Sequence, residues 1–420
     1  MASTPVLTVL GSAGGVARAV LTILNEAAQD KQNPIHTILH QAQIHLVDLK
    51  RKPMSYYSGL LPHVRRKQLS IHQLNLRNLD KLREHLQHTG TTLVIDLSWG
   101  DTVGILQVCN DLGVRYLDTA LENTMIDDHE ELYEGFSLIE RVRIFEAGRV
   151  GLTNTTAIIG TGMNPGVVQW MALEMMKREP YRAPLGLYVV EHDDTFFADP
   201  AAADPKTIYT TWAPDCFLDE AITCLPMFVS HRTPLFLRDP VYAQGFQVRL
   251  GSIEFEGCLM PHEEILSLCT LFDMEGGFLY RVNEHTTRLI QAHLANLDAV
   301  WQLPKQVLDP SRDNLTGRDL VGVLLVYADK ETFMYNVMTN QAVHERFGVS
   351  ATYFQVACGV YSALASLLLD PLPNGVFTVD ELLLQTESRY GAYLAHYMPH
   401  FVTGENLQSD GLLLDRIRRH

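Results

Sequence analysis

Residues 5–10 (PVLTVL) form a short apolar run that ends at Gly11 and passes, through Ser12, Ala13, Gly14 and Gly15, into an apolar helical pattern reaching Ala28. A buried strand, a glycine turn and a helix in immediate succession open a βαβ unit that binds a dinucleotide. Small residues at Gly11, Ala13, Gly14 and Gly15 let backbone N–H groups approach a pyrophosphate at the positive end of the helix. The spacing is G-x-x-G-x-x-A, with Ala17 last, so the context carries the assignment more than the motif does. The next apolar run, IHLVDL (44–49), reads as a second strand carrying Asp48, which is placed to accept hydrogen bonds from a ribose 2′-hydroxyl. A carboxylate there disfavours a 2′-phosphate, and NAD is expected over NADP. Lys50, Arg51 and Lys52 follow directly, and Asp48 arrives 37 residues after Gly11, later than usual.

TTLVIDLS (91–98), VRYLDTA (114–120) and TTAIIGTGMNPG (155–166) read as further strands, with helical patterns at Leu79–His88 and Thr102–Leu112 between them. That alternation predicts an α/β fold, a Rossmann-type doubly wound parallel sheet. After about residue 180 the texture changes. LGLYVVEHDDT, MFVSHRTPLFL, FQVRLGSIEFEG and VGVLLVYADKETFMYNV predict an α+β substrate domain with a mainly antiparallel sheet. At 420 residues two domains are expected: a dinucleotide-binding domain over 1–165 and a substrate domain over 166–352. The apolar helical segment from about 353 is expected to pack back on the first domain.

Thirty-three Lys and Arg against 49 Asp and Glu give a net charge of −16, which argues against non-specific nucleic-acid binding. It is compatible with a cationic substrate. The six cysteines (Cys109, Cys216, Cys224, Cys258, Cys269, Cys358) include no CxxC pair, so neither a metal site nor a disulfide framework is expected. No window is read as approaching the roughly 18 uncharged apolar residues of a membrane span. The N-terminus lacks the basic flank and cleavage site of a secretory signal, and a cytoplasmic enzyme without a membrane partner is expected.

GMNPGVVQW (162–170), TWAPDCFLDEA (211–221) and GRDLVGVLL (317–325) together resemble the bacterial homospermidine synthase branch of the saccharopine-dehydrogenase-like superfamily. The resemblance implies a homodimeric enzyme that uses NAD as a hydride store. One putrescine is oxidised to an imine, ammonia is lost as a second diamine adds, and the new imine is reduced to a secondary amine. It also implies roles for residues. Trp212 would hold a cationic amine against its ring, and Glu220 would stand near the reacting amine as the candidate general base. Asn164 would lie near the nicotinamide. Asp96, Glu122, His192, Asp193 and Asp319 would belong to the amine site. By position alone, Asp96 and Glu122 follow strands at the carboxyl edge where such sheets bind ligands. Pro214 marks a helix start, with Trp212 just ahead of it and Glu220 in its second turn.

The chain departs from the family pattern in two places. In Glu191-His192-Asp193-Asp194-Thr195, His192 falls on a position that is acidic in the family, with acids on either side. In FLYRVNEHTT (278–287), the family's His-Asn-Glu becomes Val282-Asn283-Glu284. The competing enzyme is a saccharopine- or carboxyspermidine-dehydrogenase-like reductase that couples an amine to a carbonyl. Such a substrate usually carries a carboxylate, for which Arg232, Arg281 or Arg318 would serve. A catalytically silent NAD-binding scaffold on the same fold is the third reading. No G-x-S-x-G elbow is present to suggest a serine nucleophile.

Overall fold

The computed structural model describes residues 4–418. The chain forms two compact units. The first takes the N-terminal part up to Leu132 with Ile139–Val167 and Phe354–Pro399; the second takes Tyr133–Leu138, Val168–Tyr353 and the chain from His400.

In the first unit, β1 (Val6–Leu10), β2 (Gln43–Asp48), β3 (Leu69–Gln73), β4 (Leu93–Asp96), β5 (Arg115–Asp118) and β6 (Thr156–Ile159) join the strand Gly375–Thr378 in one parallel sheet. The order is Gly375–Thr378, β6, β5, β4, β1, β2, β3. It reverses direction between β1 and β4, the switch point at whose carboxyl edge open α/β sheets take their ligands. β4 and β6 are buried along their whole length, as strands covered on both faces must be. The helices Leu79–Thr89 and Thr102–Leu112 start on side-chain caps from Asn78 and Asp101. Each ends on a glycine, Gly90 or Gly113, in the left-handed region. Two strands escape the sequence pattern. In β3 (LSIHQ) polar residues break the apolar run because it is an edge strand, and Gly375–Thr378 is a four-residue strand at the opposite edge.

The second unit is built on a ten-stranded mixed sheet. Its path runs Val402–Asn406, Glu331–Thr339, Arg318–Val326, Gly186–Asp193, Glu275–Arg281, Ile253–Met260, Gly245–Leu250 and Ile417–Arg418. The hairpin Met227–Ser230/Thr233–Phe236 attaches to Glu275–Arg281. Gly186–Asp193 and Glu275–Arg281 pair parallel, and the other neighbours pair antiparallel. One face carries the apolar core, with Tyr188, Val190, Val248, Leu279, Leu320 and Leu324.

The helix Ala351–Leu369 corrects the sequence reading of membrane segments. Its 19 uncharged residues, with a mean hydropathy of 1.4, are long and apolar enough to cross a membrane by length and composition. Yet 78% of that stretch is buried inside the protein, as expected of a core helix. Gly359 explains how closely it packs: a Cβ there would lie 2.0 Å from the Gly162 carbonyl oxygen, backbone against backbone.

Candidate functional site

The glycine turn after β1 is shaped by Gly11, whose φ of +69° suits glycine and whose added Cβ would sit 2.3 Å from the Leu97 carbonyl oxygen. The Gly14 N–H donates to the Gly11 carbonyl (3.0 Å), and the Ser12 N–H donates to Val47 (3.1 Å). Gly14 then starts the helix Gly15–Gln29 with no side-chain cap and no acidic residue in its first turn. The leading N–H groups of that helix are therefore left for an anion, and the helix dipole favours one. Asp48, half-buried at the end of β2, accepts from the Ala13 N–H (2.9 Å) and the Lys50 N–H (2.8 Å). One carboxylate thus ties the turn to the second strand and keeps further lone pairs for a ribose. Asp48→Ser should weaken NADH binding about tenfold or more, the value of a hydrogen bond to a charged group. NADPH should lose less. Fluorescence titration with both nucleotides checks this; an equal loss for both would mean that Asp48 acts through the turn alone.

Asp96 closes β4 and is buried. It accepts from the Ser98 N–H (3.0 Å), the Ser98 hydroxyl (2.6 Å) and the Tyr116 hydroxyl (3.1 Å). Burial pushes its carboxyl up to about 6, against the pull of those hydrogen bonds. The Tyr116 hydroxyl also lies 3.2 Å from Asp118, so one phenol proton serves two carboxylates. Asp118 is the residue that sequence reasoning passed over. It ends β5 in register with Asp96 and accepts the Gly160 N–H (2.8 Å), while its carbonyl accepts the Thr161 N–H and hydroxyl. Its position at a strand end, like that of Asp96, was the available signal. It holds the start of the turn that carries Asn164, which is half-buried before a cis peptide bond to Pro165. Glu122, half-buried after β5, is tied by its backbone N–H to the Thr102 hydroxyl (3.0 Å) and by its carbonyl to the Thr102 N–H (3.0 Å).

In the second unit the alternation of Gly186–Asp193 puts Glu191 and Asp193 on one face and His192 on the other. Asp193 pairs in register with Asp319, and Glu191 pairs with Val321 and Tyr280, so Glu191, Asp193, Asp319 and Tyr280 share a face. All four are buried, with Asp319 0% exposed. Thr211 donates to Asp193 (2.5 Å), Thr352 donates to Asp319 (2.6 Å), and the Thr195 N–H donates to Asp193 (3.0 Å). Trp212, half-buried next to Thr211, donates from Nε1 to the Tyr280 hydroxyl (3.3 Å). Burial raises Asp193 to about 6 despite those hydrogen bonds. Burial, then the charges of Glu191 and Asp193, raise Asp319 well above the usual carboxylate range. Three acids beside two aromatic rings form a face that an ammonium group would relieve.

The arginines lie elsewhere. Arg281 is in register with His192 on the opposite face, where it pairs with Glu284. Arg318 alternates away from Asp319 and lies 3.9 Å from Asp194, and Arg232 is exposed in a hairpin turn. His192 itself stacks on Phe255 with ring centroids 4.8 Å apart and lines a cleft of about 890 Å³ with Arg281, Phe196 and His285. The structure thus separates His192 from Asp193, its neighbour in the sequence. Asn283 caps the helix Glu284–Gln291 and donates to the Tyr209 carbonyl (2.9 Å), and Glu284 pairs with Arg288 (2.6 Å). This accounts for the Asn-Glu pair as local structure.

Pro214 opens the helix Pro214–Leu218, and Glu220 falls in the π-helical turn Asp219–Thr223 that continues it. Such turns are frequent at functional sites. The charge of Glu220 acts on His262, a second residue that the sequence did not mark. Burial lowers the His262 imidazole, but pairing with buried Glu264, aided by Glu220 and Glu263, lifts it to about 10. His262 packs on Phe278 (4.6 Å), which stacks on Tyr280 (5.8 Å), so this cation stands along the aromatic row that leads to the acidic face. The His-Glu-Glu at the start of the helix Glu263–Phe272, with His262 at its N-cap, was its one sequence signal.

The family model described as the saccharopine dehydrogenase NADP binding domain matches residues 7–138. No curated protein sequence matches the chain. Among solved structures, the homospermidine synthase of Legionella pneumophila in complex with NAD has 16% identity and a TM-score of 0.69, over 97% of this chain and 92% of that one. The apo saccharopine dehydrogenase (L-Glu forming) of Saccharomyces cerevisiae has 10% identity and a TM-score of 0.58, over 95% of this chain and 100% of that one. At these identities the likeness is one of fold. Residues 7–138 therefore match the model of an NAD(P)-binding domain, within a chain that shares its fold with both enzymes.

Proposed function

We propose that the chain is an NAD-dependent aminoalkyl transferase acting on diamines, of the homospermidine synthase type. The observation that carries this reading is the buried acidic face of Glu191, Asp193 and Asp319, with Trp212 and Tyr280 beside it and Arg232, Arg281 and Arg318 placed elsewhere. Clustered buried carboxylates with raised pKa values mark a candidate functional site, and a bound cation would relieve their mutual repulsion. A substrate with an ammonium group at each end suits such a face, whereas a carboxylate substrate would be repelled. In this reading Asp193 and Asp319 anchor an ammonium and the Trp212 ring covers it. Glu220 accepts a proton from the reacting amine, and Asn164 stands by the nicotinamide. NAD, when bound, supplies the hydride acceptor for amine oxidation and the hydride donor for reduction of the exchanged imine. The aminobutyl group moves, ammonia leaves, and there is no net redox change. NAD is preferred over NADP because Asp48 ends β2.

The test is incubation of the protein with putrescine and catalytic NAD, followed by mass spectrometry. Homospermidine and ammonia without accumulated NADH are expected. No product from putrescine, together with NAD(P)H consumption on an amine and a keto acid, would replace this reading with reductive coupling. The same assay on Glu220→Gln checks the proton acceptor: a large fall in kcat is expected, and an unchanged rate removes Glu220 from the mechanism.

A further inference from the structure

We infer that His45, His72 and His85 form a binding site for a first-row transition-metal ion, with zinc as the representative case. His45 lies on β2 and His72 on β3, where the register pairs His45 with Ser70 and Val47 with His72. The two histidines are therefore diagonal neighbours on one face of the sheet. The helix Leu79–Thr89 brings His85 to them, with ring centroids 4.5 Å from His72 and 5.8 Å from His45. One ring nitrogen from each residue lies within 4.8 Å of the other two.

Two further observations point to a ligand. His45 Nδ1 and His72 Nε2 share a hydrogen bond at 2.9 Å, so an ion replacing that proton needs only a few tenths of an ångström of movement to the roughly 3.3 Å between two nitrogens on one tetrahedral ion. His85 Nε2 is buried with no hydrogen-bond partner among the described residues, a state that costs about 1–3 kcal/mol if nothing satisfies it. An all-imidazole set suits Zn, Cu, Ni or Co and not the oxygen-seeking Mg or Ca. Three imidazoles on a tetrahedral ion would leave its fourth position for water.

Such an ion would join β2, β3 and a helix at one edge of the parallel sheet, three residues before Asp48 on β2. Its role would be to stiffen the edge that presents Asp48. The cysteine count that argued against a metal site missed it, because the ligands are 27 and 13 residues apart and only strand register unites them.

The experiment is calorimetric titration of chelator-treated protein with ZnCl₂, with thermal melts alongside. One equivalent bound at micromolar Kd or tighter is expected, with a raised Tm. His72→Gln and His85→Gln should each weaken binding at least tenfold while leaving the circular dichroism unchanged. Zinc affinity that is unaltered in both variants, or binding weaker than millimolar in the wild-type protein, would overturn the site and leave a stacked histidine cluster. Should the variants fail to fold, electron paramagnetic resonance of the Cu²⁺-loaded wild-type protein decides. Coupling to three nitrogens supports the site, and coupling to fewer refutes it.

Discussion

Asp319→Asn will yield a protein that is more heat-stable and yet poorly active toward diamines. Asp319 is fully buried on the face it shares with Glu191 and Asp193, and that burial, then their charges, hold its carboxyl well above the usual range. Asparagine keeps the shape and an oxygen for the Thr352 hydroxyl, so the fold loses a repulsion and little else. The diamine loses a buried anionic partner, which costs about 2–5 kcal/mol and raises KM on the order of 30-fold or more. The pH dependence has a definite sign. Asp193 titrates at about 6 in the folded chain against a reference of 3.8, so the folded state favours the proton. The stability this contributes is full below pH 3.8 and is lost as pH rises through 6, and Asp319 extends the loss to higher pH. Thermal melts of the free protein should therefore fall across this window from this cause, while stabilisation by putrescine should grow. In Asp319→Asn both slopes should flatten. A variant with unchanged Tm and unchanged KM would remove the acidic face from the account.

Trp212→Ala should lose most of the activity, and Trp212→Phe should keep part of it. A desolvated cation over an aromatic face is worth about 2 kcal/mol, or roughly 30-fold in kcat/KM. Phenylalanine retains a ring face but gives up the Nε1–H bond to the Tyr280 hydroxyl, so it should fall between wild type and alanine. The edge-on packing of Trp212 on Phe217, at 5.9 Å, makes some destabilisation of the alanine variant expected. Activity is therefore to be read at saturating and at limiting diamine, on protein checked for folding. Near-wild-type rates in both variants would dispose of the cation–π contact.

Much of the architecture was written locally. A glycine turn between a buried strand and a helix, repeated strand–helix alternation, and the later run of long strands were enough to anticipate a parallel sheet followed by a mixed, mainly antiparallel one. Short-range chemistry explains this: backbone freedom at Gly11, capping at Asn78 and Asp101, and apolar runs of strand length act within a few residues. Failures began where the signal was weak or shared. β3 is a polar edge strand, and the uncharged helix Ala351–Leu369 has the composition of a membrane span while being buried in the protein.

For the candidate site the division is sharper. The residue types (carboxylates at strand ends, a tryptophan before a proline-started helix, an excess of acid) were legible in the sequence. Which of them share a face was not. Alternation separates His192 from Glu191 and Asp193, but only the pairing of Asp193 with Asp319 and of Glu191 with Tyr280 decides which face becomes the acidic one. The same holds for Asp118 beside Asp96, and for His45, His72 and His85. Strand register is a contact between distant segments, and a shift of one residue would turn every side chain of a strand to the other face. The sequence by itself determined the elements and their chemistry, and the tertiary structure chose their neighbours, because register is set by long-range packing that no local pattern encodes.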